Sequence, residues 1–132
     1  MKRILFFTML LISVSSYAQD GFQYATTGNG VDYYYRIENS GLLGMYKEIW
    51  LKYDKPTKKV KTKSGKYVTR GGGYTMAFME IGCSSKTHQT KNIINYDKNG
   101  NVTERDDIPT FSKPIVPGSV IEGIYNAVCR NE

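Results

Sequence analysis

The residues best equipped for chemistry sit in "GCSSKTHQT", where Cys83 and the chain's single histidine, His88, are surrounded by Ser84, Ser85, Thr87 and Thr90. A cysteine thiolate beside an imidazole base is the pairing used for acyl transfer, and the same two residue types ligate zinc. Either use requires a free sulfur and a histidine on the same side of the chain. If the segment is extended, the odd spacing of Cys83 and His88 sends them to opposite faces, because side chains alternate with period two. The sequence holds one further cysteine, Cys129, and no further histidine. A zinc site would therefore run short of nitrogen and sulfur ligands, and the general-base reading of His88 gives way to an ordinary surface or packing residue.

The compartment decides the state of the sulfur. The chain opens "MKRILFFTMLLISVSSYAQD", with Lys2 and Arg3 ahead of an apolar run from Ile4 to Val14 and then the small residues Ser16 and Ala18 around Tyr17. That is the layout of a secretory signal peptide cleaved near Ala18. The apolar run is short for a membrane span, no second one follows, and no cysteine stands at the cleavage point to take a lipid. Residues 1–18 are thus expected to be a signal peptide and residues 19–132 a single small domain, periplasmic or secreted. An even pair of cysteines in a small exported domain reads as a disulfide, Cys83–Cys129, and not as a reactive thiol with a spare. Closing a loop of that length contributes roughly 4 kcal/mol in the chain-entropy account, comparable to the net stability of many small domains.

The elements that position these residues are strands first and a helix last. "VDYYYRIEN" (31–39) is rich in aromatic and β-branched residues, and "KEIWLKYD" (47–54) alternates Ile49, Leu51 and Tyr53 against Glu48, Trp50 and Lys52. Trp50 faces away from the more apolar side, where it either anchors a partner or covers an edge of the core or packs under the helix. "GGGYTMAFMEIGC" (71–83) is apolar on both faces, which marks a central strand. Its three glycines suit a flexible or bulged lead into that strand, since the lysine and the strand-loop-helix context of a phosphate loop are missing. An extended segment from Thr87 to Tyr96, the turn "DKNGN" and a return strand at 102–104 form a hairpin. The turn's spacing does not fit a calcium loop. "RDDIPTFSKPIVPGS" carries Pro109, Pro114 and Pro117 and reads as a linker crossing the domain without extending a sheet. In "PGSVIEGIYNAVC", Ser119 and Glu122 form a capping box, and Ile121, Ile124, Tyr125 and Val128 share one face of a helix from Val120 to about Cys129. The fold class is therefore α+β: a small antiparallel β-sheet with a C-terminal helix packed on it and tied by the disulfide.

Between strand and glycines lies "KPTKKVKTKSGKYVTR", where Lys55, Lys58, Lys59, Lys61, Lys63, Lys66 and Arg70 stand together with no acid among them. Ser64 and Gly65 split the run into two arms of a hairpin. Such a ribbon grips an anionic surface, or else it is a solvated loop whose lysines protect a strand edge. Nucleic acid is disfavoured as the partner. The chain is exported, its charge falls below the precursor's +6 once Lys2 and Arg3 are removed, and no stacking-plus-arginine pattern accompanies the lysines.

Several of these motifs together resemble the bacterial surface-adhesin protein E-like family. The similarity is strongest from Ala77 to Cys129: a strand ending in cysteine, "YDKNGNV", a short proline-bearing crossing, and "PIVPGSVIEGIYNAVC". The resemblance implies that Cys83 and Cys129 are the family's disulfide, that Tyr96, Asp97 and Gly100 form its hairpin, and that Ile115, Pro117, Gly118 and Ser119 lead into its helix. Phe111 stands where the family often has tryptophan. The adhesin that names the family binds host extracellular-matrix and plasma proteins. By resemblance and composition together, the expected function is a non-enzymatic, adhesin-like binding module without a cofactor or metal site. Its contact residues would be Trp50, the basic hairpin and the tyrosines Tyr33, Tyr34 and Tyr35. The expected partner is a host or envelope protein or an acidic polymer, with homodimerisation through an exposed strand edge as a further form of association. The alternative is an inhibitor-like or envelope-stress protein that blocks an enzyme with its basic hairpin.

Overall fold

The computed structural model describes residues 21–107 and 109–130, so the signal peptide and its cleavage point near Ala18 lie outside the described residues. In chain order the strands are β1 (Gln23–Gly28), β2 (Val31–Ser40), β3 (Tyr46–Asp54), β4 (Thr57–Lys61), β5 (Tyr67–Gly71), β6 (Tyr74–Gly82), β7 (Thr87–Tyr96), β8 (Val102–Asp106) and β9 (Lys113–Pro114), followed by the helix α1 (Val120–Arg130). The main sheet runs β1-β2-β3-β6-β7-β8 with β9 also on β7, and every pairing is antiparallel. The α+β fold class, an antiparallel sheet carrying a C-terminal helix tied by a disulfide, is as the sequence implies. β6 is central, joined to β3 on one side and β7 on the other.

Alternation along the strands builds the core. Tyr35, Ile49, Leu51, Ala77, Met79 and Ile81 all point to the same side, and Ile124 and Val128 of α1 close over them. Burying side chains of this size contributes about 1.5–3 kcal/mol each, so these strands form because they have an apolar partner to meet. The approach of helix to sheet is close. A Cβ on Gly123 would lie 2.5 Å from Thr26 Oγ1, and one on Gly28 would collide with Val120. Polar groups then fix the helix's position. Tyr125 Oη donates to Cys83 O (2.9 Å), Tyr35 Oη to Ala127 O (3.3 Å) and the buried Lys47 Nζ to Val128 O (2.9 Å), beside the Cys83–Cys129 bond. The Lys47 ammonium sits at the helix's negative end, where the macrodipole favours a cation.

The structure corrects the sequence reading in several places. The sheet begins one strand earlier than the first aromatic run, because β1 reads weakly in composition yet pairs along β2 with a bulge between Tyr24 and Thr26. The proline-bearing crossing does extend the sheet. Thr110 N donates to Thr90 O (2.8 Å), and β9 pairs Lys113 with His88, so the segment runs back along the free edge of β7. Prolines tolerate such an edge because only alternate N–H groups are needed there. Cys83 and His88 do not share one extended segment; a turn over 83–86 separates them. The capping box is skewed by one residue: Glu122 N donates to Ser119 Oγ (3.3 Å), but the glutamate carboxylate accepts from Gly118 N (3.3 Å), since Ser119 N is already bound to Val116 O.

Candidate functional site

The motif that opened the chemical question is structural. The Cys83 sulfur is bonded to Cys129, and His88 lies on β7 opposite Ile81 with Lys113 on its other side. Its Nδ1 is buried without a hydrogen-bond partner, and burial, with the Lys113 charge second, holds its pKa below the usual imidazole value. Among the described residues no group of three or more His, Cys, Asp or Glu side chains is placed to hold a metal ion, and no helix is long and apolar enough to cross a membrane.

The residues expected to contact a partner fall in three places. Tyr35 is 2 % exposed in the core, and Tyr33, on the same side of β2, packs on Tyr53 with ring centroids 5.0 Å apart. Tyr35 is therefore unavailable as a contact residue, for the physical reason that consecutive strand residues cannot share a face. Tyr34 points to the opposite side and is exposed, in edge contact with Tyr24 at 6.0 Å. Trp50 is on that outer side as well, not under the helix, and packs on Phe78 at 5.0 Å.

Composition concealed the extent of this outer face. Register places Tyr34, Lys52, Met76 and Ile94 in one row across the sheet and Arg36, Trp50, Phe78 and Asn92 in the next. Tyr74 stacks on Tyr96 at 4.5 Å at one end. Cations are threaded among the rings: Lys52 Nζ lies 4.7 Å from the Tyr74 centroid and 5.7 Å from that of Phe22, over which Arg36 also sits. Cation–π contacts of this kind stabilise by about 0.5–1 kcal/mol when exposed. At the far end Lys91 reaches both Glu80 (3.1 Å) and Glu48 (3.3 Å), and the hydrogen bond to Glu80 leads in raising its pKa. Among the described residues no second layer of secondary structure covers this face, and Trp50, Met76 and Phe78 are half-buried among their neighbours on the sheet. The signal that would have exposed it is that β6 is apolar on both faces while the domain's sequence offers one amphipathic helical segment, Val120–Arg130, to cover them.

The basic hairpin is present as expected, with β4 and β5 paired from Thr57↔Gly71 to Lys61↔Tyr67 and all ten strand residues exposed. It continues the β3–β6 pair beyond a break at Gly71, Gly72 and Gly73, each at positive φ, which turns the ribbon out of the main sheet. The lysines are divided: Lys58 opposes Arg70 on one face, and Lys59 and Lys61 lie on the other with Thr69 and Tyr67. Lys63 and Lys66 belong to the tip, closed by Thr62 N to Lys66 O (2.7 Å), with Gly65 in the left-handed region. Among the described residues the edges of the main sheet are β1 on one side and β8 with β9, both paired on β7, on the other.

No known protein family, curated protein or solved structure matches this chain in comparison, so the geometry carries the functional reading.

Proposed function

We propose that this is an exported, non-enzymatic binding module that meets a protein partner through the outer face of its sheet, with the basic hairpin beside it. The observation that carries this reading is the uncovered aromatic face. A contiguous set of rings centred on Trp50 and Phe78, interleaved with Arg36 and Lys52, has the composition of an interface core, in which aromatic residues and arginine are enriched. The resemblance to the surface-adhesin protein E-like family adds an adhesin-like role at the bacterial envelope or exterior, and the leader and the disulfide agree with export. A second reading, inhibition of an enzyme, draws on the hairpin's projection from the domain, since a ribbon exposed on both faces is shaped to enter an acidic cleft.

The test is recovery of partners from cell envelope and from host matrix extract by the mature chain, its Trp50→Ala variant and its Lys59→Gln/Lys61→Gln/Lys63→Gln variant. Loss of a protein partner with Trp50→Ala, in a variant that stays folded and is destabilised only on the scale of one half-buried ring, is the expected result. Loss with the lysine variant alone, accompanied by inhibition of the captured enzyme, would transfer the function to the hairpin. Equal recovery by all three forms would remove both surfaces from the function.

A further inference from the structure

At the base of the hairpin, a cavity of about 530 Å³ opens between β5 and the β7–β8 turn. Three cations from three separate segments line it: Lys55 after β3, Arg70 on β5 and Lys98 in the turn. We infer that this notch binds an oxyanion group of an acidic polysaccharide. The inference rests on the reading of the chain as an exported binding module but uses a different surface from the aromatic face.

Charge is the first support. Among the described residues none of the three cations forms an ion pair. The carboxylate lining the notch, Asp97, is occupied by its own turn. It accepts from the N–H groups of Asn99 and Asn101, both at 2.9 Å, and these bonds, Asn101 foremost, hold its pKa below the ordinary carboxylate value. Held ionised, Asp97 offsets one of the three positive charges, and the notch keeps a net positive charge. Lys58, outside the notch lining, stands directly across from Arg70 in the hairpin, a like-charge pairing that destabilises a strand pair and that a bound anion would relieve.

Rigidity is the second. Lys55 N donates to Gly73 O (3.0 Å) and Gly72 N to Pro56 O (3.3 Å), which fixes one wall to the other. Gly73, at φ +83, passes so close beneath Tyr96 O and Asp97 that a Cβ there would collide with both. The turn carrying Lys98 is thus held against the hairpin base before any ligand arrives, and a preorganised site loses less entropy on binding.

The lining also separates ligand classes. Thr69 supplies a hydroxyl suited to a sugar hydroxyl, Thr103 Oγ1, which donates to Asn95 O (3.2 Å), can still accept from one, and among the described residues no aromatic ring lines the notch to stack a nucleobase. Beyond it the hairpin strands extend about 17 Å at the usual rise per residue and carry Lys59 and Lys61, so a polymer leaving the notch meets further cations.

The experiment is calorimetric and amide-NMR titration of the mature chain, residues 19–132, with four probes: a sulfated oligosaccharide, an oligogalacturonate, inorganic phosphate and single-stranded DNA. Binding of the sulfated or the carboxylated sugar, with amide shifts concentrated at Gly71, Gly72, Gly73, Asn99 and Gly100, is expected, and the stronger of the two names the oxyanion. Arg70→Gln and Lys98→Gln should each weaken it roughly 5-fold, the scale of about 1 kcal/mol per charge contact, against less than about 2-fold for Lys63→Gln at the tip. Phosphate or DNA binding as tightly as the sugars would overturn the assignment, as would equal losses at Lys63 and Lys98 or shifts spread evenly over the hairpin. Because Trp50→Ala leaves the notch intact, it should bind the sugar normally. Sugar binding absent while the Trp50-dependent protein partner is retained would dismiss the notch and leave the binding module standing.

Discussion

The two faces of the main sheet are built from the same strands, by the same alternation, yet they end in different states. On the inner face Ile49, Leu51, Ala77, Met79 and Ile81 are 6 % exposed or less beneath α1. On the outer face Trp50, Met76 and Phe78, one position along, are left half-buried. Side-chain hydrophobicity differs little between the two sets, so what separates core from surface here is the supply of a second layer. The described residues provide one α-helix, pinned to one side by a disulfide, a buried lysine and two tyrosine hydroxyls. An apolar face with no internal cover is the contact area that the proposed binding module would use.

If the inner face depends on the pinned helix, removing the pin has the largest consequence. Cys83→Ala/Cys129→Ala releases a loop of sequence separation 46, and the expected loss is about 4 kcal/mol, read as a urea midpoint lower in the variant than in the oxidised wild type. A midpoint unchanged by the double substitution would show that packing alone holds the helix. Next comes the core itself. Ile49 is 0 % exposed, and Ile49→Ala should cost about 3 kcal/mol, in the middle of the range for a buried isoleucine, whereas Phe78→Ala on the outer face should cost about 1 kcal/mol. Equal losses at the two positions would mean that the outer face is as much a core as the inner one.

Lys47 sharpens the comparison from an unexpected side, because it is the charged residue on the covered face. Replacing it with methionine keeps the stem's packing but removes the ammonium from Val128 O at the helix's negative end. Lys47→Met is therefore expected to destabilise by about 1–2 kcal/mol at neutral pH. A variant as stable as wild type in thermal unfolding would reduce Lys47 to a filler of space.

Much of the fold was legible because its signals are local. The period-two runs of β2, β3 and β6, the glycine turn at Gly100, the helical face of α1 and the two cysteines are each read within a short window. What stayed illegible depends on partners distant in sequence. Period two divides Tyr33 and Tyr35 from Tyr34, but which side the helix takes is settled by contacts some ninety residues away, such as Tyr35 to Ala127. For the same reason Trp50 had two plausible places, and Lys47, a charged residue at the head of a strand, gave no hint of burial. β1 and β9 escaped notice because edge pairing satisfies backbone groups whatever the side chains are. The candidate site was legible as an inventory of aromatic and basic residues, while the grouping of Lys55, Arg70 and Lys98 around one notch required the fold.

The smallest expected effect lies at the boundary between the two states, on β7, where every strand residue is half-buried. His88 faces Ile81 across β6 and Lys113 across β9, and both its burial and that cation favour the neutral ring. Its pKa in the fold is thus below the 6.5 it takes up when unfolded. Between those two values the unfolded chain binds more protons than the native one, so stability rises with pH across that window. The contribution is complete above 6.5, declines as the pH falls towards the folded value, and levels off once both states are protonated. Thermal unfolding at about pH 7.5 and about pH 5, above the range where ordinary carboxylates take up protons, isolates the effect. Wild type should lose more stability over that interval than His88→Gln, which cannot titrate. The loss should stay small, because the ring is only partly withdrawn from water and solvent screens the Lys113 charge. Identical pH profiles for the two proteins would mean that the His88 ring is as well solvated in the fold as in the unfolded chain.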